Sequence, residues 1–194
     1  MRVTQTALPG VRMIETDVFR DDRGYFLETW QAERYTSLGL PGSFVQDNLS
    51  HSARGVLRGL HLQHPHSQGK LVYVIEGEML DVAVDVRVGS PHFGRSVAVV
   101  LSGQNHRQLY IPPGFAHGFC VTSQYALLAY KCTTPYRPSS ELGVLWSDPD
   151  LAIAWPHSPV TVSARDQSFA RLRDIPQSAL PSYAQYGPAA VAHR

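Results

Sequence analysis

A succession of strand-like segments between residues 71 and 132 is the feature that most limits what this chain can fold into. The segments "LVYVI", "MLDVAVDVRV", "SVAVVL", "RQLYI", "HGFCVT" and "YALLAYKC" follow one another at short intervals, with Gly, Pro, Ser and Asn between them. In the second segment, alternate residues from Leu80 to Val88 face one side, and Asp81, Asp85 and Arg87 face the other. Many short strands at such spacing predict an all-β sandwich or small barrel.

Two turns are predicted within this region. Glu76-Gly77-Glu78 separates the first two segments, and Ser123-Gln124 forms the tip of a hairpin between the last two. That hairpin would pair position 120 with position 127, so Cys120 and Cys132 would not be cross-strand neighbours. We therefore expect two free, buried thiols, as is usual in a reducing compartment.

Helical periodicity is nearly absent outside one short stretch. The helix candidate is "TWQAERYTSLG", residues 29–39, which Gly39 and Pro41 bring to an end, and a turn near 166–172 is weaker. After Leu151, five prolines interrupt any regular pattern. We expect one all-β domain over residues 1–177 with a few short helices, followed by a loosely ordered tail over residues 178–194.

The balance of charge excludes some classes of function. Lys and Arg number 17 against 16 Asp and Glu, which leaves a net charge of +1. The chain therefore lacks the overall basic character of a nucleic-acid-binding protein. It shows no apolar run of signal-peptide length at the N-terminus and no membrane span later. We expect a soluble cytoplasmic protein with no nucleic-acid or membrane partner.

Three histidines within six residues, in "GLHLQHPHSQGK", suggest a metal site at first sight. His64-x-His66, followed by Lys70 and Gly77, has the spacing of the first cupin motif, and "PPGFAH" at 112–117 matches part of the second. This resemblance implies a jelly roll, in agreement with the strand pattern. A metal cupin has a glutamate where this chain has Lys70, and an ammonium group cannot ligate a metal. We expect no metal, and interpret His64 and His66 as a polar turn.

His61 is a better candidate for chemistry. It lies inside the strand pattern "VLRGLHLQ", on the face that Gln63 shares, and Lys70 is one of only two lysines in the chain. A jelly roll would bring both residues, with His117, to one cavity. A histidine base, a lysine cation and a tyrosine acid suit proton abstraction next to a carbonyl.

The motifs in combination resemble one family. These are "DDRGYFLETW", "FVQDNLSHSARGVLRGLHLQ", "QGKLVYVIEGEMLDVAVDVRVGSPHFG", "IPPGFAHGF", "YKCTTPYRPSSE" and "SARDQ", over residues 3–176. They are similar to the dTDP-4-dehydrorhamnose 3,5-epimerases, which are cupin-type double-stranded β-helices without a cofactor. The resemblance implies inversion of dTDP-4-dehydro-6-deoxy-D-glucose at C3 and C5, giving dTDP-4-dehydro-L-rhamnose for dTDP-L-rhamnose biosynthesis.

The resemblance also implies roles for single residues. His61 matches the base, Asp166 matches the aspartate that orients it, and Lys70 matches the residue that stabilises the enolate oxygen at C4. Tyr130 matches the acid on the opposite face, and Tyr136 a wall on which the substrate stacks. Further substrate-binding positions in the family match Arg23, Phe26, Glu28, Gln46, Asn48, Arg58, His117, Glu141 and Arg165.

The neighbouring subunit supplies some of these positions in the family, Arg23 and Glu28 among them. The resemblance therefore implies a homodimer with exchanged N-terminal strands. Guanidinium groups suit a diphosphate because they donate hydrogen bonds in a rigid fork.

Two positions depart from a simple pattern. Strict alternation puts Arg58 and His61 on opposite faces of their strand, and a bulge or kink at Gly59 would bring both to one ligand. Arg165 stands where the family often has lysine. Three alternatives stay open: an epimerase acting on one carbon only, a metal cupin using His64, His66 and His117, and a noncatalytic module that binds nucleotide sugars.

Overall fold

The fold is seen in a computed structural model that describes residues 1–156 and 160–187. Within these residues the strands are β1 Arg2–Gln5, β2 Arg12–Glu15, β3 Val18–Asp21, β4 Gly24–Leu27, β5 Gln46–Ala53, β6 Leu57–Gln63, β7 Lys70–Asp85, β8 Ser96–Ser102, β9 Arg107–Ile111, β10 Phe115–Cys132 and β11 Glu141–Gly143. The short helices are α1 Ala32–Ser37, α2 Ala164–Gln167 and α3 Tyr183–Tyr186, with 3-10 turns at Pro138–Ser140, Leu172–Asp174 and Gln177–Ala179.

Antiparallel pairing joins nine of these strands into one sheet. The order is β1-β2-β9-β7-β10-β6-β11, with β5 paired to β10 and β8 paired to β7. β3 and β4 pair only with each other and form a separate hairpin. The arrangement is a cupin-type double-stranded β-helix, so the predicted all-β class and jelly roll are confirmed.

Two long strands organise the sheet, and they correct both predicted turns. β7 has 16 residues and β10 has 18, and they pair with each other from Lys70↔Cys132 to Asp85↔Phe115. One strand therefore continues through Glu76-Gly77-Glu78 with a bend, and Ser123-Gln124 is not a hairpin tip. The register instead shifts between Val121 and Ala126, opposite Gly77.

Gly77 explains why a turn pattern is built into a strand. Its φ is +82°, and a Cβ atom there would lie 2.0 Å from the carbonyl oxygen of Tyr125. Only glycine accepts both the backbone conformation and this close approach. The irregularity lets β7 pair with β9 on one side of the bend and with β8 on the other.

Apolar side chains pack on both sides of the two long strands. One cluster includes Val72, Met79, Phe119 and Leu128, and a second includes Val82 and further residues of β6 and the C-terminal segments. β7 contributes to both clusters, and charged residues in its second half and just after it are buried as well. Asp81, Asp85 and Arg87 are 2% exposed or less, and each carboxylate has a charged or titratable partner.

The predicted helix and free thiols are present in the structure. α1 lies within residues 29–39, and Gln31 caps its N-terminus by accepting a hydrogen bond from the backbone N–H of Arg34. Cys120 and Cys132 are both free and buried. No helix among residues 1–156 and 160–187 is long and apolar enough to cross a membrane.

The first part of the predicted tail packs against the domain instead of lying loose. Leu180 is 4% exposed, and Ser182 forms a β-bridge with Val88. The guanidinium of Arg87 donates to the carbonyl oxygen of Tyr186 at 2.8 Å, which fastens this segment to a buried ion pair with Asp85. Residues 188–194 of the predicted tail lie outside the described part of the chain.

Candidate active site

One cavity gathers most of the side chains that the sequence singles out. It has a volume of about 260 Å³ and opens between β5, β6 and the paired ends of β7 and β10. The residues that line it are Gln46, Asn48, His61, Leu62, Gln63, Gln68, Lys70, Tyr130, Cys132, Tyr136 and Glu141.

Ladder pairing places these groups. β10 runs between β5 and β7, so Tyr130 is paired with Asn48 on one side and Val72 on the other. Two residues later, Cys132 is paired with Gln46 and Lys70. Residues two apart on a strand point to the same face, and the polar groups at this end of the sheet therefore converge.

His61 is held by a carboxylate from a distant part of the chain. Its Nε2 lies 2.9 Å from Oδ1 of Asp166, and Oδ2 of the same carboxylate accepts a hydrogen bond from the N–H of Gly59 at 3.0 Å. Ser163 caps α2 by accepting a hydrogen bond from the N–H of Asp166. If Nε2 donates to Asp166, the other ring nitrogen of His61, Nδ1, is the one free to accept a proton.

Burial and hydrogen bonding act in opposite directions on this pair. Burial lowers the pKa of His61 below its ordinary value and outweighs the opposing effect of Asp166. Burial alone would raise the pKa of Asp166, but hydrogen bonds from Gly59 and His61 outweigh it and lower that pKa. The pair is therefore a neutral imidazole beside an ionised carboxylate at neutral pH.

Lys70 and Tyr130 are also shifted by their surroundings. Burial lowers the pKa of Lys70, and the neighbouring Cys132 and Asp81 partly offset this. Burial raises the pKa of Tyr130, with Cys132 adding to the rise, so its hydroxyl keeps its proton well above neutral pH. The cavity thus contains a neutral base and a protonated acid on different strands.

The predicted irregularity at Gly59 is present. The pairing of β6 with β10 changes register between His61↔His117 and Arg58↔Phe119. The φ of Gly59 is +123°, and a Cβ atom there would lie 2.6 Å from Cα of Gly118. Arg58 does not line the cavity; it donates to Ser52 at 3.0 Å, and its charge partly offsets the rise in the pKa of Tyr130.

A cluster of polar groups closes one side of the cavity. Tyr136 donates from its hydroxyl to Glu141, and Arg165 contacts the same carboxylate oxygen at 2.8 Å. Gln46 accepts from the N–H of Tyr136 at 2.7 Å and donates to Asn48 at 2.8 Å. Burial opposes ionisation of Glu141, but the hydrogen bonds from Tyr136 and Arg165 outweigh it and lower the pKa of Glu141.

Six predicted substrate-binding residues do not line this cavity: Arg58 and Arg165, whose contacts are given above, and Arg23, Phe26, Glu28 and His117. Arg23 and Phe26 belong to the exposed β3–β4 hairpin, and Glu28 pairs with Arg34 at 3.0 Å. His117 is buried beneath the site, where its Nε2 lies 2.9 Å from Asp81.

The histidine pair that suggests a metal lies in a turn, as predicted. Nδ1 of His66 is 3.1 Å from the hydroxyl of Ser140, and the N–H of His64 donates to the carbonyl oxygen of Ser140. Across residues 1–156 and 160–187, no three His, Cys, Asp or Glu side chains form a group that could hold a metal ion. The structure therefore does not bring His64, His66 and His117 together.

Gln63 is a buried residue of the cavity for which the sequence patterns predict no role. Its Nε2 donates to the carbonyl oxygens of His66 and Pro135, and its Oε1 accepts from the N–H of Arg137. It thereby joins β6 to the loop that carries Tyr136. The available signal was its position two residues after His61, on the same strand face.

The topology places the chain in the class of cupin-type proteins, and its cavity brings together a histidine paired with a carboxylate, a lysine and a tyrosine, which are acid–base groups. A family profile described as dTDP-4-dehydrorhamnose 3,5-epimerase matches residues 5–174. The epimerase of this name from Pseudomonas aeruginosa is 52% identical over 157 residues, which cover 80% of this chain and 87% of that protein. The epimerase from Methanothermobacter thermautotrophicus is 47% identical over 178 residues, which cover 90% of this chain and 96% of that protein.

Solved structures agree with this assignment. The crystal structure of dTDP-6-deoxy-D-glucose-3,5-epimerase from Legionella pneumophila, in complex with dTDP-4-keto-L-rhamnose, superposes with a TM-score of 0.91 at 49% identity. It covers 94% of this chain and 98% of its own. The chain belongs to the dTDP-4-dehydrorhamnose 3,5-epimerase family of isomerases.

Proposed function

We propose that this chain inverts C3 and C5 of dTDP-4-dehydro-6-deoxy-D-glucose by two rounds of deprotonation and reprotonation, without a metal or organic cofactor. The observation that carries the proposal is the His61–Asp166 pair, which faces the same cavity as Lys70 and Tyr130. The C4 ketone of this substrate acidifies the hydrogens on both neighbouring carbons, and acid–base groups alone are then sufficient.

His61 acts as the base in this proposal. Asp166 fixes the ring so that Nδ1 takes the proton from carbon, and it stabilises the imidazolium that forms. As the C–H bond breaks, its electron pair moves onto the C4 oxygen and forms an enolate. The ammonium of Lys70 stabilises this oxygen by charge and hydrogen bonding.

Tyr130 returns a proton from the other side of the sugar ring. The enolate carbon takes the phenolic proton, and the C4 ketone reforms with the opposite configuration at that carbon. Inversion requires separate groups on the two faces, since one group acting alone tends to restore the starting isomer. Exchange with solvent then deprotonates His61 and reprotonates Tyr130 before the second carbon reacts.

The nucleotide end requires a second subunit in this proposal. Gln46, Asn48 and Glu141 line the cavity, whereas Arg23 and Phe26 lie on a hairpin that pairs with no other strand within residues 1–156 and 160–187. We propose a homodimer in which these N-terminal strands are exchanged and complete the partner's site. A cytoplasmic location fits the free thiols of Cys120 and Cys132.

Solvent exchange tests the mechanism directly. The enzyme in heavy water should place deuterium at both C3 and C5 of the keto sugar, measured by proton NMR or mass spectrometry. His61→Asn should abolish exchange at both carbons while leaving dTDP binding nearly unchanged. Undiminished exchange by this variant would refute His61 as the base. Exchange at one carbon in the wild type would instead identify a single-site epimerase. Binding of the nucleotide sugar without any exchange would identify a noncatalytic module.

A further inference from the structure

The imidazole of His61 has an aromatic neighbour that the proposed mechanism does not use. The ring centroids of His61 and Phe169 are 5.8 Å apart, and the ring planes are nearly perpendicular at 87°. Phe169 follows α2, three residues after Asp166. One short segment therefore delivers both the carboxylate that bonds the imidazole and an apolar ring that packs on it.

Gly143 makes room for this ring. In β11, Gly143 is the ladder partner of His61. A Cβ atom on Gly143 would lie 2.2–2.3 Å from three atoms of the Phe169 ring, so the ring occupies the space that any other side chain would need. Phe169 is thus fixed between the strand beside the base and the base itself.

Shielding from water is the chemical consequence. The side chain of His61 is 31% exposed, and burial is the largest influence on its pKa, which it lowers. A ring packed against an imidazole removes water from one side, which favours the neutral form, and it restricts rotation of the ring. We propose that Phe169 is a positioning residue that keeps the His61 imidazole neutral and correctly oriented, given the proposed role of His61 as base.

Several other titratable and charged groups surround His61. Asp166 of α2 and Glu141 of β11 raise the pKa of His61, and Lys70 of β7 lowers it. Arg165 lies 5.9 Å from the Phe169 ring but is paired with Glu141. From β10, the pairing partner of His61 is His117, which is bonded to Asp81.

The test follows the titration of the His61 imidazole itself. We would record its ring proton resonances by NMR against pH, assigned with His61→Asn, and the pH profile of kcat/KM. Phe169→Ala should raise the NMR midpoint and move the acidic limb of the profile to higher pH, because a hydrated imidazole is protonated more easily. Phe169→Leu, which keeps an apolar cover, should shift both much less. Phe93→Ala, a partly exposed phenylalanine elsewhere, should shift neither.

Gly143→Ala offers an independent route to the same displacement. Its new methyl group should push the Phe169 ring aside and raise the NMR midpoint of His61, as Phe169→Ala does. The double variant should raise this midpoint no further than Phe169→Ala alone. A folded Phe169→Ala protein with an unchanged NMR midpoint would overturn the inference. A raised midpoint with an unmoved profile of kcat/KM would support shielding by Phe169 and overturn His61 as the base.

Discussion

Burial acts on the two proposed proton-transfer residues in opposite directions. It lowers the pKa of His61, so the base is unprotonated near neutrality, and it raises the pKa of Tyr130, so the acid keeps its proton. A single environment thus prepares both groups for opposite tasks, since burial is the largest influence on the pKa of each.

Tyr130→Phe tests the acid alone, because it removes the hydroxyl and keeps the ring. We expect the rate of inversion to fall by about 10²–10⁴, the usual contribution of a positioned general acid, with little change in dTDP affinity. Tyr125→Phe, on the same strand but outside the cavity, is the matched control. A wild-type rate of inverted product from Tyr130→Phe would show that Tyr130 only packs.

Asp166→Asn tests the orienting carboxylate through pH. In the wild type, kcat/KM should fall only below the ordinary histidine pKa of about 6.5, since burial lowers the pKa of His61. Because Asp166 raises that pKa, its loss should move the acidic limb to still lower pH and reduce the plateau by roughly 10²–10⁴. An unmoved limb measured from pH–rate profiles would contradict the assignment.

Local patterns could identify His61 and Lys70 as candidates, because the rare lysine and the in-strand histidine are visible in the sequence. They could not supply the contact between His61 and Asp166, which are 105 residues apart and meet only through packing of α2 on β6. Here the family resemblance supplied the pairing. For His117 it indicated substrate binding, yet the side chain is buried against Asp81 in this chain.

At the scale of elements, the sequence predicts two strands in place of each of β7 and β10, because their bends contain turn-forming residues. Gly77 and Ser123-Gln124 are typical of turns, yet they lie at opposed irregularities of two paired strands. A sequence shows where the alternation of polar and apolar residues is interrupted, but a bulge and a turn interrupt this alternation in the same way. Only the pairing partner decides between them, and that partner is remote in sequence.

Gly77→Ala tests how much the stability of the protein depends on glycine at the bend of β7. Gly89 has nearly the same φ, +84° against +82°, but open space around its Cβ position, whereas a Cβ on Gly77 would meet the carbonyl oxygen of Tyr125. Gly89→Ala should cost about 1–2 kcal/mol for its left-handed backbone. Gly77→Ala should cost about 1–3 kcal/mol more, from overpacking. Urea denaturation would show the difference, and equal losses would mean that the bend yields without strain.

For the whole molecule, the β3–β4 hairpin is the part that the single chain leaves unexplained. Phe19, Tyr25 and Phe26 are 64%, 51% and 70% exposed on it. Phe19 and Phe26 are ladder partners and share one face of the hairpin, and two large apolar side chains exposed side by side favour an interaction site. Arg23 lies among these residues, at a distance from the cavity of its own chain, which is why we propose that it serves the partner's site.

Mixing two inactive variants tests this exchange. His61→Asn retains Arg23, and Arg23→Ala retains His61. If Arg23 acts across the dimer, each mixed dimer has one intact site, made of His61 from one chain and Arg23 from the other. An equal mixture that re-equilibrates should then recover about a quarter of the wild-type activity. If Arg23 serves its own chain, no site in any dimer is intact, and the mixture should stay as inactive as its components.

A second mixture supplies the control. His61→Asn and Tyr130→Phe both alter the cavity of their own chain, so a mixed dimer of these two variants has no intact site and should recover nothing. Size-exclusion chromatography with light scattering would confirm that each variant is dimeric and that tagged and untagged chains exchange. Recovery by the first mixture and not by the second would place Arg23 in the partner's site. Recovery by neither, with exchange demonstrated, would exclude that arrangement.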